Sequence, residues 1–269
     1  MHPELFRIGP FAVHSYGVML ALSFILGIYV AVRKGEKRGV NGDAIVNLGF
    51  IIIIASIVGA RLFYVLFHTN EFTGRWIYAF WPVQEDGTVG LGGLILLGGF
   101  ITAVLASVIY IYIKKMNFWK LADSVAPSIA LGVFLTRIGC YLNGCCFGTA
   151  CEQPWGVLFP AYSPAGATMV DVYIHPTQLY SAFYGLVIFA VLLWLDRRPF
   201  FDGLLIGSFL VLYGIARFIV DFYRYYESQM FIIAGLQFNQ VVSLLMFIAG
   251  IIILFIRRKY HNKPKVLTH

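Results

Sequence analysis

Apolar residues run through this chain in seven long blocks, at about 14–32, 46–67, 91–113, 121–143, 176–195, 203–223 and 236–256. A bilayer core about 30 Å thick needs roughly 20 residues of helix, and each block meets or approaches that length. No block shows sustained period-two alternation, so membrane strands do not compete. The pattern predicts an all-α integral membrane protein of seven transmembrane helices, with residues 1–269 forming a single transmembrane domain. Pro176 stands where a first-turn proline would, and Asp202, before Gly203, is a candidate N-cap. The two longer polar stretches, 68–90 and 144–175, are the expected loops. Glu4 beside Arg7 and a first apolar run long enough to span argue against a cleavable leader.

Composition agrees with the pattern. The chain is 59% apolar and 12% charged, too little polar surface to coat a soluble globule. The aromatic and apolar content likewise excludes a disordered chain. A formal charge of +7 would point a soluble protein toward nucleic acid, but here the placement of charge matters more than its sum. Fourteen of the twenty Lys and Arg fall in one set of alternate loops and at the C-terminus. That set includes Lys34, Arg38, Lys114, Arg197, Arg257 and Lys263, whereas the opposite set has Arg7, Arg75 and Arg224. The positive-inside rule then places the N-terminus outside and the C-terminus in the cytoplasm, which an odd number of spans requires. Both long loops then face outward, membrane lipids are the surroundings, and no nucleic-acid partner is expected.

The remaining basic residues, Arg61, Arg137 and Arg217, lie inside predicted spans, each nearer the outward end. An arginine near the bilayer centre costs roughly 2.5–3.5 kcal/mol on insertion scales, so three need partners or a purpose. Snorkelling, or an i,i+4 pair of Arg217 with Asp221, is the plain explanation. An anion site for a lipid phosphate is the sharper one, because guanidinium stays charged and grips phosphate with paired hydrogen bonds. Other polar residues gather at the same level. They are His14 and Tyr16 at the first span, Tyr64 and His68 on the face of Arg61, His175, Gln178 and Tyr180 at the fifth, and Asn239 and Gln240 at the seventh. The tyrosines also suit an interfacial belt, and the histidines suit structural hydrogen bonding. Glycines at 90, 92, 93, 98 and 99 give the third span a smooth face for close helix packing.

All four cysteines, Cys140, Cys145, Cys146 and Cys151, fall at the outward end of the fourth span. Their C-x4-C-C-x4-C spacing lacks the C-x2-C pairs of common structural zinc sites, so no metal is expected. Facing an oxidising compartment, they are candidates for one disulfide joining Cys140 or Cys151 to one of the adjacent pair. No cofactor is expected either.

Several segments together carry a family resemblance over nearly the whole chain. They are H14-SYG-17, G59-ARLFYVLF-67, G92-GLILLGG-99, R137-IGCYLNGCCFG-148, H175-PTQLY-180, R217-FIVDFYR-224 and N239-Q-240. Their order and placement resemble the bacterial phosphatidylglycerol–prolipoprotein diacylglyceryl transferases. The resemblance implies transfer of diacylglycerol from phosphatidylglycerol to the lipobox cysteine thiol in a preprolipoprotein signal peptide, releasing glycerol phosphate. It implies a multi-pass protein of the bacterial cytoplasmic (inner) membrane, with an active site open to the outer leaflet. Arg137 and Arg217 match the family's two essential arginines and Tyr16 its essential tyrosine. Asn143, Gly144 and Gly148 match the signature loop, and Asp221 stands where the family usually has Glu. Leu97 stands where those enzymes commonly carry a histidine, and Cys140 and Cys145 replace the usual Asn and Glu.

Leucine takes no proton, so thiol ionisation falls to the arginines, with His175 or His14 as candidate assisting bases. Arg61, His14, Gln178, Asp221 and Gln240 complete the expected substrate-binding set. The alternatives are a related head-group transferase with another acceptor, or a lipid or anion carrier. A carrier would spread polarity through the membrane thickness, whereas here it gathers at one end.

Overall fold

The computed structural model describes residues 3–8, 11–72, 76–79, 93–197, 201–226, 231–233 and 235–261. Seven helices long and apolar enough to cross a membrane begin within 1–5 residues of the expected starts: α1 (Ser15–Lys37), α2 (Gly42–Phe67), α3 (Leu96–Ile113), α4 (Phe118–Asn143), α6 (Thr177–Leu195), α7 (Leu204–Asp221) and α8 (Phe238–His261). A short α5 (Pro164–Thr168) lies in the 144–175 loop. Three two-stranded antiparallel hairpins, none of them anticipated, join β1 (Glu4–Ile8) to β2 (Phe11–His14), β3 (Val157–Leu158) to β4 (Tyr173–Ile174), and β5 (Phe231–Ile233) to β6 (Leu236–Gln237). The expected 68–90 loop is described at residues 68–72 and 76–79, as two 3₁₀ turns, and glycines 90 and 92 lie outside the described residues.

Helix α4 is central, packing on α1, α6 and α7, while α2 packs on α3 and α8 on α7. Small residues set these approaches. A Cβ at Gly98 would meet the Phe63 ring and the Gly59 carbonyl, and one at Gly99 would meet the Ser56 carbonyl. Thr102 Oγ1 fills the same seam with a 2.8 Å hydrogen bond to the Ala55 carbonyl, so those two glycines serve helix packing. The outward surfaces of α2, α3 and α8 are large exposed apolar side chains, as lipid contact demands.

At one end of the bundle, charges knit the helix termini together. Asp196 pairs with Lys34 at 2.6 Å and with Arg38, and Arg257 Nε donates to the Asp202 carbonyl at 2.8 Å. Asp202 is not the cap of α7. Gly203 takes that position with φ 103°, and the carboxylate comes from Asp123 of α4, accepting from Gly203 N at 2.7 Å and Ile206 N at 3.0 Å. Pro176, likewise, is the N-cap rather than the first residue of α6. The other end holds Tyr16, the C-termini of α2, α4 and α7, and the loop that follows α4.

Candidate active site

Helix α4 ends in a left-handed turn. Gly144 has φ 74°, and Cys145 N reaches back to the Cys140 carbonyl at 3.1 Å, satisfying end carbonyls that would otherwise be orphaned. A Cβ at Gly144 would also meet Ser163 Cβ at 2.7 Å, so the turn packs directly on the N-terminus of α5. Residues Cys145 and Cys146 are then pinned by α6: Gln178 Nε2 donates to the Cys145 carbonyl at 2.9 Å and Thr177 Oγ1 to the Cys146 carbonyl at 3.1 Å. Gly148 follows, wedged where a Cβ would strike the carbonyls of His175 and Tyr223, and it bridges to Arg224. Through that bridge the loop fixes the segment just beyond α7.

The result is a cavity of about 630 Å³ between α1, α2 and α4. Its long wall is apolar, with Leu20, Phe24, Ile28, Leu48, Ile129 and Val133 among its lining residues. Its polar end holds Tyr16, Thr136, Arg137, Cys140, Cys146 and Arg224. Among the described residues, no hydrogen bond or ion pair partners the Arg137 guanidinium, and the titratable groups within its electrostatic reach include Tyr184, Cys146, Cys140 and Tyr213. A slot greasy along its length and cationic at one end has the form of an anionic phospholipid.

The other expected residues stand in different surroundings. Arg217 does not line this cavity. Its Nη2 pairs with Asp221 Oδ1 at 2.9 Å and donates to Tyr226 Oη at 3.1 Å, while Tyr226 donates to Asp221 Oδ1 at 2.7 Å. The i,i+4 ion pair is therefore real, yet Arg217 Nη1, Asp221 Oδ2 and the Tyr184 hydroxyl stay buried without hydrogen-bond partners among the described residues. Tyr184 lies within electrostatic reach of both Arg137 and Arg217. Burial pushes the Tyr226 phenol up, keeping it a proton donor at neutral pH.

Arg61 is held elsewhere, bonding the Gly93 carbonyl at 3.2 Å with its guanidinium 5.5 Å from the Tyr64 ring and 5.3 Å from the Phe72 ring. The expected grouping of three arginines is thus, at this cavity, Arg137 with Arg224. Arg224 went unrecognised because it lies outside any span, although its place seven residues after Arg217 sets it near that arginine's helix end. His14 ends β2, exposed and off the cavity. Gln240 Oε1 accepts from Gln237 N at 3.0 Å, closing the turn into α8. Leu97 is 63% exposed, and its neighbour Leu96 lines the cavity instead.

His175 is also off the cavity wall. Its Nδ1 lies 3.1 Å from Tyr180 Oη, its ring rests 5.0 Å from that of Tyr223, and its backbone pairs with Gly148 and Thr149. Burial lowers its proton affinity, so the neutral imidazole is favoured. It anchors the loop, and Gln178 does the same.

All four cysteines are free thiols, and no expected disulfide is formed. Cys151 is drawn away by Cys151 N donating to the Tyr173 carbonyl at 2.8 Å, its sulfur beside the Gln153 carbonyl. Cys140, Cys145 and Cys146 instead converge, with their sulfurs all within 4.8 Å of one another. Hydrogen bonds from the Cys140 and Cys145 thiols draw the Cys146 thiol well below its usual range, with Arg224 and Arg137 acting in the same direction.

The family model for prolipoprotein diacylglyceryl transferase matches residues 3–256. The chain belongs to this family. Relatives named phosphatidylglycerol–prolipoprotein diacylglyceryl transferase include one from Clostridium tetani, 32% identical across 96% of this chain and 98% of its own length. Another, from Pasteurella multocida, is 33% identical across 98% and 94%. A third, from Idiomarina loihiensis, is 34% identical across 96% and 93%. Among prolipoprotein diacylglyceryl transferases, then, this member places a cationic, thiol-rich end on an apolar slot.

Proposed function

We infer that this protein is a phosphatidylglycerol–prolipoprotein diacylglyceryl transferase, moving diacylglycerol from phosphatidylglycerol to the lipobox cysteine thiol of a preprolipoprotein. The observation that carries the reading beyond family membership is Arg137, a cation inside a span without a protein carboxylate beside it, at the polar end of an apolar slot. The acyl chains lie along Leu20, Phe24, Ile28 and Ile129, and the phosphate meets Arg137 and Arg224. The acceptor thiol gives up its proton to solvent, its sulfur attacks the glyceryl carbon, the C–O bond breaks, and glycerol phosphate leaves with the electron pair. Charge grows on the departing phosphate, so preorganised guanidinium groups act where the transition state needs them. Tyr16 borders the same end and orients the head group. Arg217 supports Arg137 across Tyr184, with Asp221 and Tyr226 holding it in place.

The protein is placed in the bacterial cytoplasmic membrane, N-terminus outward, with the cavity end at the outer leaflet. The concentration of Lys and Arg at the opposite end supports that orientation. The test is direct. Purified protein, phosphatidylglycerol labelled in its acyl chains and a lipobox peptide should yield labelled thioether peptide and free glycerol phosphate. A peptide with serine at the acceptor position should stay unlabelled. Breakdown of the phospholipid without peptide labelling would assign another acceptor.

A further inference from the structure

Three thiols converge where the sequence spacing had argued against a metal. The C-terminal turn of α4 folds Cys145 back over Cys140, and Cys146 turns again with φ 61°, a left-handed conformation unusual for a side-chain-bearing residue. Gln178 and Thr177 hold the two successive carbonyls, so the strained turn is supported rather than loose. The sulfurs lie within 4.8 Å of one another. Thiolates around a tetrahedral zinc at about 2.3 Å would sit about 3.8 Å apart, so the present spacing needs only a modest contraction.

We propose that Cys140, Cys145 and Cys146 bind one thiolate-preferring divalent cation, zinc, whose fourth position opens on the cavity and takes the acceptor thiol. Soft thiolate ligands select zinc over hard cations, and three protein ligands with one open place is the pattern of catalytic rather than structural zinc. Two of the ligands, Cys140 and Cys146, line the cavity with Arg137 and Arg224. Three thiolates on zinc carry one net negative charge and a fourth raises it to two, which those two guanidinium groups offset. Coordination displaces the proton of the acceptor thiol to water. The zinc-held sulfur then attacks the glyceryl carbon with its electron pair, the C–O bond breaks, and glycerol phosphate leaves as the anion. The thioether is a weaker ligand and is released. The metal would thereby do the work of the base absent at Leu97. The thiol step rests on the transferase reading; the metal site does not.

The probe is cobalt(II), titrated into the full chain purified in detergent and kept reduced. One equivalent should bind, with a sulfur-to-cobalt charge-transfer band and the intense visible bands of tetrahedral coordination, and zinc should displace it. Cys140→Ser and Cys146→Ser should each lose the band, and Cys151→Ser should keep it. Adding a lipobox peptide should shift the visible bands, and its serine analogue should leave them unchanged. Failure of the wild-type protein to bind stoichiometrically overturns the proposal whatever the variants do. So does full transfer activity after exhaustive metal removal, an outcome that leaves the transferase reading standing. Bound metal whose spectrum ignores the peptide thiol overturns the open fourth position, and metal binding without any transfer overturns the transferase reading alone.

Discussion

Arg137 and Arg217 carry the same charge near the same ends of neighbouring helices, but their removal should have different consequences. Arg137 has no carboxylate to abandon, so Arg137→Ala should fold normally and lose transfer by about 10²–10³-fold, the range for one preorganised transition-state donor. Arg217→Ala strands the buried Asp221, and breaking such a pair costs about 3–5 kcal/mol. Much of that loss should return in Arg217→Ala/Asp221→Ala, read by thermal unfolding in detergent; no recovery would deny the pair its structural role. His175 gives a pH test. Its proton affinity is lowered by folding, so its contribution is complete above the ordinary value of 6.5 and is lost as pH falls through the lower folded value. His175→Gln should therefore flatten the decline in stability from neutral to mildly acidic pH. If the residue anchors the loop, the variant keeps transfer within about tenfold, whereas loss of a general base typically costs 10²–10⁴-fold. The sequence displayed every one of these residues as polar groups at one level. It could not say which guanidinium had a carboxylate neighbour turned toward it, because an i,i+4 spacing permits the Arg217–Asp221 contact without requiring it.

Among the elements, the spans were legible because length and apolarity are local properties that the bilayer enforces. Helix ends were less so. Asn41 and Asn117 cap α2 and α4 from the positions where such residues ordinarily cap, a signal that long apolar runs overshadow. The cap of α7 comes from Asp123, 80 residues away, and no local pattern contains it. Asp123→Ala should cost at least the roughly 0.5–2 kcal/mol of a lost cap, and Asp202→Ala, which removes no capping contact, should cost little. Equal destabilisation of the two would contradict the assignment. The convergence of Cys140 with Cys145 and Cys146 was hidden for a related reason. Spacing rules for metal sites assume loops, and here a glycine in the left-handed region returns the chain on a helix end.

At the scale of the whole molecule, charge and greasiness are segregated along one axis. The basic end is cross-linked by Lys34, Arg38, Asp123, Asp196 and Arg257, and the other end holds the slot's polar mouth. Such a molecule should insert one way only. On a cysteine-free background, Thr149→Cys should react with an impermeant thiol reagent from outside the cell and Lys114→Cys only after the membrane is opened; the reverse pattern would invert the topology. The family and the seven spans follow from sequence, and so does the candidacy of Arg137. The slot itself does not, since it is formed by α1, α2 and α4 across more than a hundred residues of chain. The most direct test of the central claim is complementation of a bacterial strain depleted of its own prolipoprotein diacylglyceryl transferase. The account predicts that this chain restores diacylglyceryl-modified lipoproteins while an equally abundant, folded Arg137→Ala variant does not; restoration by both, or by neither, would contradict it.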